Sequence, residues 1–160
     1  MLRLLASTLL VLFALNGCSN KQSQPSDPLA YSPNYHRISG SKDFNTVLEE
    51  LLFAISNENY NVTSINRVGT AIAERHDIAF PHYTIVNSCN LEIAKQFLEI
   101  DPRFVTVMPC RIAVWQEAAI VHVSAHLLPE TLKNCQRLCK QTNALLKRVV
   151  DFSVSDDLGL

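Results

Sequence analysis

Apolar residues recur along this chain with two different spacings. Phe44, Val47, Leu48, Leu51, Leu52 and Ile55 fall at helical intervals and form one stripe. Asp43 is placed to cap that helix, and Asn57-Glu58-Asn59 to end it. Residues 119–128 alternate instead, with Val121, Val123, Ala125 and Leu127 on one face and Ile120, His122, Ser124 and His126 on the other. Weaker alternations predict strands over residues 35–41, 60–68 and 80–89. Residues 104–117 are the longest strand candidate; Pro109 within them cannot donate to a ladder, so a bulge or an edge position is expected at Pro109-Cys110. Asn90 predicts the cap of a short helix that buries Leu91, Ala94, Phe97 and Leu98. Pro129 predicts the first position of a last helix, with Glu130 in its opening turn. The stripe of that helix is Leu132, Cys135, Leu138, Cys139, Thr142, Leu145, Leu146 and Val149. Residues 69–77 carry no decisive pattern. Strand, helix, several mostly antiparallel strands and helix predict an α+β two-layer domain, with helices packed on one face of the sheet and the other face open.

The first eighteen residues follow another rule. Arg3 precedes an apolar run over residues 4–15 that only Ser7 and Thr8 interrupt. Its length, about twelve residues, falls short of the roughly twenty that a spanning helix needs, so it reads as an export signal. The run ends in Leu15-Asn16-Gly17-Cys18, which resembles a bacterial lipobox. That resemblance implies cleavage after residue 17, thioether lipidation of Cys18 and attachment to the cell envelope, facing the periplasm. Ser19 after the cysteine favours the outer membrane. Residues 18–34, with Ser, Gln, Asn and three prolines, read as a tether. The expected organisation is then a signal peptide over 1–17, the tether over 18–34, one domain over 35–152 and a tail over 153–160.

Composition narrows the function more than it names it. With 48% apolar and 18% charged residues the domain is globular. The formal net charge is −1 and no basic run occurs, so a nucleic-acid partner lacks its electrostatic footprint. Only four glycines are present, and there is no Gly-rich phosphate loop, His-Glu-x-x-His or Cys-x-x-Cys. No nucleophile–base set argues for an enzyme, and no cofactor is implied.

The chemistry-bearing stretch is residues 87–111. A strand runs into Cys89-Asn90, a short helix follows, Asp101-Pro102 stops it, and a second strand carries Met108-Pro109-Cys110-Arg111. This order resembles the core motif of family 302 of the domains of unknown function, over roughly residues 35–150. The resemblance implies a curved antiparallel sheet packed by two long helices, with a cysteine at each of the two positions. Leu91 stands where the family often has proline, and the turn at Ala118-Ala119 lacks the glycine often found there.

Four cysteines remain besides Cys18. Cys135 and Cys139 are the least expected disulfide: at i, i+4 on a helix their Cβ atoms would lie about 6 Å apart, against the ~3.8 Å a disulfide wants. They are expected as small buried residues in a leucine stripe, and no His or acid joins them to make a metal site. Cys89 and Cys110, on strands expected to be neighbours, are either a disulfide or two buried thiols. With Arg111 they form a candidate redox or ligand site. His122 and His126 share a strand face about 13 Å apart, too far to hold one metal ion. With His82, Arg111 and Trp115 they are expected on the open face, where a shallow pocket could hold a small anion or aromatic ligand. Three functions are therefore in play: a lipid-anchored binding or accessory domain, a thiol-redox or sulfur-handling protein using Cys89 and Cys110, and a structural subunit docking on an envelope partner.

Overall fold

The computed structural model describes residues 33–156. The elements are β1 (Asn34–Ser39), α1 (Phe44–Asn57), β2 (Asn61–Arg67), α2 (Val68–His76), β3 (Tyr83–Cys89), α3 (Leu91–Ile100), β4 (Cys110–Glu117), β5 (Ile120–His126) and α4 (Gln136–Val154). A 3-10 helix, Pro102–Val107, joins α3 to β4. The expected signal segment, Cys18 and nearly all of the tether lie outside the described residues.

The strands form one antiparallel sheet in the order β1-β5-β4-β3-β2. Asp43 opens α1 as its position predicts, its carboxylate accepting from the N–H groups of Asn45 and Thr46. Phe44, Val47, Leu48, Leu51 and Ile55 are buried, and Val47 and Leu51 are fully so. They meet Val86, Ile112, Val114, Val121, Val123 and Ala125 of the sheet, and Leu146, Val149 and Val150 of α4. Each such side chain contributes roughly 1.5–3 kcal/mol by leaving water. Both long helices thus cover one face of an α+β sheet, and the alternation read in β5 sends His122, Ser124 and His126 to the other.

Residues 104–117 do not form one strand. Asp101 caps the 3-10 helix through the N–H of Arg103, Pro102 starts it, and Phe104 buries itself against Phe97 with ring centroids 4.8 Å apart. The strand starts only at Cys110, in the sheet interior, and Pro109 sits just outside it after a cis bond to Met108. Neither a bulge nor an edge position is needed there. Helix α3 is capped by Asn90 as expected, but it buries a narrower line: Phe97 is covered, Ile93 and Ala94 half-covered, while Leu91 and Leu98 face solvent. The reason is its place beside the sheet, against the 3-10 helix, where only one ridge is met.

The last helix starts later than Pro129 suggests. Residues 127–135 are held in irregular backbone, and α4 begins at Gln136 and runs to Val154, taking in the first two residues of the expected tail. Asn143, buried inside α4, accepts from the Leu128 N–H (2.8 Å) and donates to the Leu128 carbonyl and to Glu130 Oε1 (2.9 Å each). The late start overturns the expectation for Cys135 and Cys139. Cys135 precedes the helix at φ −116°, ψ 3°, so the pair escapes the helical Cβ spacing and forms a disulfide with its Cα atoms 5.7 Å apart. That disulfide is buried in a second, smaller core with Phe97, Phe104, Leu128 and Leu138.

Residues 69–77, which carry no decisive pattern, fall largely in α2 (Val68–His76), packed on β3. Gly69 is required there: a Cβ would lie 2.2 Å from the Pro81 carbonyl oxygen and 2.7 Å from the Tyr83 nitrogen.

Candidate functional site

Antiparallel register brings the open-face side chains into rows. Trp115 lies opposite both Tyr83 and His122, and Asn87 lies opposite Arg111. On β1, His36 pairs with Ser124, and Asn34 with His126. Diagonal neighbours within such rows are close enough for long side chains to touch.

Three rings meet at the β1–β5–β4 end. His36 Nε2 and His122 Nδ1 are 3.1 Å apart, with ring planes within 7° and centroids 5.3 Å apart. That centroid separation matches an in-plane, edge-to-edge hydrogen bond. The Trp115 indole is parallel to both, 4.8 Å from His122 and 5.4 Å from His36, and so lies face-on over the pair. Its Nε1–H donates to Glu117 (2.9 Å), whose other oxygen is 3.8 Å from His122 Nε2. The carboxylate favours a proton on His122 Nε2, which leaves Nδ1 to accept from His36 Nε2–H. Burial, then the neighbouring His122 and Arg37, hold the His36 pKa below its ordinary 6.5, against a smaller opposing pull from Glu117.

Beside these rings a groove of about 760 Å³, open to solvent, is lined by Asn34, Ile85, Arg111, Trp115, Ser124 and His126. His126 Nδ1–H donates to Asn34 Oδ1 at 3.2 Å, which leaves Nε2 as an acceptor. Burial and then Arg111 lower the His126 pKa, so that this ring is neutral near pH 7. Arg111 is exposed, and among the described residues no carboxylate pairs with it. The groove therefore offers one unpaired guanidinium, the edge of an indole, a neutral imidazole and short polar side chains over an apolar floor.

Cys89 and Cys110 are free thiols that line a separate cavity on the helix-covered side, between the two cores. Tyr60, Ile93, Phe97, Met108, Leu128 and Thr142 complete its wall. Burial raises both thiols, Cys110 to about 11 with a further push from Cys89. A redox nucleophile needs the opposite shift.

Arg111, Trp115, His122 and His126 thus share the open face, while Cys89 and Cys110 line another place and do not join Arg111. His82 is not on the open face either; it stacks on Phe44 at 4.8 Å, at the start of α1. His36, Asn34 and Glu117 escaped the sequence reading. The alternation of β1 marks His36 as one face of a strand, but nothing local says which strand it joins. Among the described residues no group of three His, Cys, Asp or Glu side chains is placed to hold a metal ion, and no helix is long and apolar enough to cross a membrane.

Residues 35–152 match the family model described as domain of unknown function DUF302. A crystal structure of an uncharacterized conserved protein DUF302 from Bacillus stearothermophilus is similar to this chain, with a TM-score of 0.66 at 17% identity, over 76% of this chain and 98% of that one. At that identity the likeness concerns the fold. No curated protein matches the chain.

Proposed function

Because the chain belongs to the DUF302 family, whose function is undefined, we propose its role from the site itself: a lipid-anchored, periplasm-facing domain that binds a small, planar, anionic ligand on its open sheet face. One observation carries this reading. Among the described residues no carboxylate pairs with Arg111, which stands in a groove that also presents Trp115 and His126. A guanidinium left unpaired beside an aromatic ring suits a carboxylate or other oxyanion on a flat body, by charge-assisted hydrogen bonds and stacking. Neutral His126 and Ser124 supply the orienting contacts such sites use. The anchor at Cys18 and the tether fit a domain that samples solutes near a membrane surface.

Trp115 is the chain's single tryptophan, so at fixed pH its fluorescence reports on the groove it lines. Benzoate and its uncharged counterpart benzamide serve as probes. Benzoate is expected to change the emission saturably and benzamide to have little effect, and Arg111→Gln is expected to remove the difference. Equal responses to the two probes, or a benzoate response that survives Arg111→Gln, would sink the anion-binding reading.

A further inference from the structure

We infer that the cavity between the two cores is a site for a single soft monovalent metal ion of the copper(I) class, held by the sulfurs of Cys89, Cys110 and Met108. All three side chains line one cavity, and both cysteines are reduced. The pairing of Cys110 with Ser88 places Cys89 one residue further along the neighbouring strand, where β3 turns into α3. Thiolate and thioether sulfur together select copper(I) over the harder divalent ions. The space fits an ion and nothing larger. The room left between these walls is about 20 Å³, enough for one water or one ion.

A second, independent feature points to a guest that brings negative charge. Thr142 is 3% exposed and lines the cavity, and its hydroxyl finds no well-formed hydrogen bond among the described residues. It faces the Tyr60 phenol, itself 5% exposed. Orphaned buried hydroxyls are costly unless something accepts from them. Thiolate sulfur is an acceptor, and neutral thiols in an apolar wall serve that need poorly. Loading balances as one copper(I) ion displacing two thiol protons. The product is a bis-thiolate complex of net charge −1, with copper entering and leaving in the same oxidation state. The hydroxyls of Thr142 and Tyr60 and the N-terminal end of α3, which starts two residues after Cys89, are placed to offset that charge. This site shares no residue with the open-face groove and stands apart from the reading given for it.

The test uses the full chain in detergent, purified anaerobically without reductant so that the Cys135–Cys139 disulfide stays closed. Copper(I), supplied as its acetonitrile complex, is titrated against the chromophoric chelator bicinchoninate. One ion per chain is expected to be retained, with release of two protons. Cys89→Ser and Cys110→Ser are each expected to lose the ion, Met108→Leu to weaken its retention, and Cys18→Ser and His36→Ala to leave it unchanged. X-ray absorption on the unsubstituted protein is expected to show a sulfur-only shell, a readout that does not depend on any variant folding. No retention against the chelator, retention that survives both Cys89→Ser and Cys110→Ser, or nitrogen in the shell each overturns the assignment. So does a purified protein in which Cys89 and Cys110 are already joined as a disulfide.

Discussion

Asn143 holds both backbone polar groups of Leu128, fifteen residues away, while standing 1% exposed within α4. The segment between β5 and α4 has no ladder of its own there, so this side chain takes the place of a strand partner. Asn143→Ala leaves the Leu128 N–H and C=O buried without that partner, and the cost is expected to be about 3 kcal/mol. Urea unfolding of the two proteins measures it. A loss below about 1 kcal/mol would mean that water replaces the amide at once.

Ala118 has φ 53° in the two-residue turn between Glu117 and Ile120, and Ala119 does not share the positive φ. That pattern is the hairpin turn whose first central position prefers glycine. The left-handed region costs a non-glycine residue roughly 1–2 kcal/mol, and glycine returns about half of that as entropy in the unfolded chain. Ala118→Gly is therefore expected to stabilise the protein by about 0.5–1 kcal/mol. Ala118→Val should lower the melting temperature, and the opposite order in a thermal melt would contradict the strain.

The parts of the fold legible in the sequence are those whose burial is one-sided. Stripe and alternation located α1 and β5 because each presents one apolar face to one layer. Residues 104–107 read as strand because they are apolar and β-branched, yet the Asp101 carboxylate and Pro102 fix a 3-10 turn that lets Phe104 reach Phe97. Pro129 reads as a helix start, yet Asn143 pins Leu128 beside it and the chain turns irregularly until Gln136. The first misreading comes from a cap and a proline just upstream, the second from a side chain fifteen residues away. The same holds for the site. Trp115, His122, His126 and Arg111 follow from strand alternation, whereas His36 meets His122 across 86 residues through a strand pairing no periodicity encodes.

The buried Cys135–Cys139 bridge closes a loop of only four residues' separation, so its entropic contribution is small for a disulfide, about 2 kcal/mol. Cys135→Ala together with Cys139→Ala is expected to lose about that much in urea unfolding. Alkylation of the unfolded, unreduced chain followed by mass measurement should count two thiols, Cys89 and Cys110, apart from Cys18, and reduction should add two more. Four thiols before reduction would remove the bridge.

The anchor is tested outside the folded domain. Cells expressing the chain with labelled fatty acid are expected to incorporate label, and Cys18→Ser is expected to abolish it and leave an unprocessed precursor. Label that survives this substitution would place the lipid elsewhere or refute the lipobox.

Acid should act on the open face through His36. Its folded pKa lies below the ordinary histidine value of 6.5, because the ring is partly buried and faces His122 and Arg37 more strongly than Glu117. In the unfolded chain the ring takes up its proton first as the pH falls. Stability from this group is therefore complete above about pH 6.5 and is lost progressively below it, until the folded ring is protonated too. Protonating His36 also places charge under the Trp115 indole and beside Arg37, and it loads the edge-to-edge bond to His122. Trp115 emission followed from pH 8 downward is thus expected to change with a midpoint below 6.5, and His36→Gln is expected to shift or remove that transition. The chain's one tryptophan makes the assignment direct. A midpoint above 6.5, or a transition identical in His36→Gln, would mean that another group controls the stack, and His122, with Glu117 on its far nitrogen, is the next to substitute.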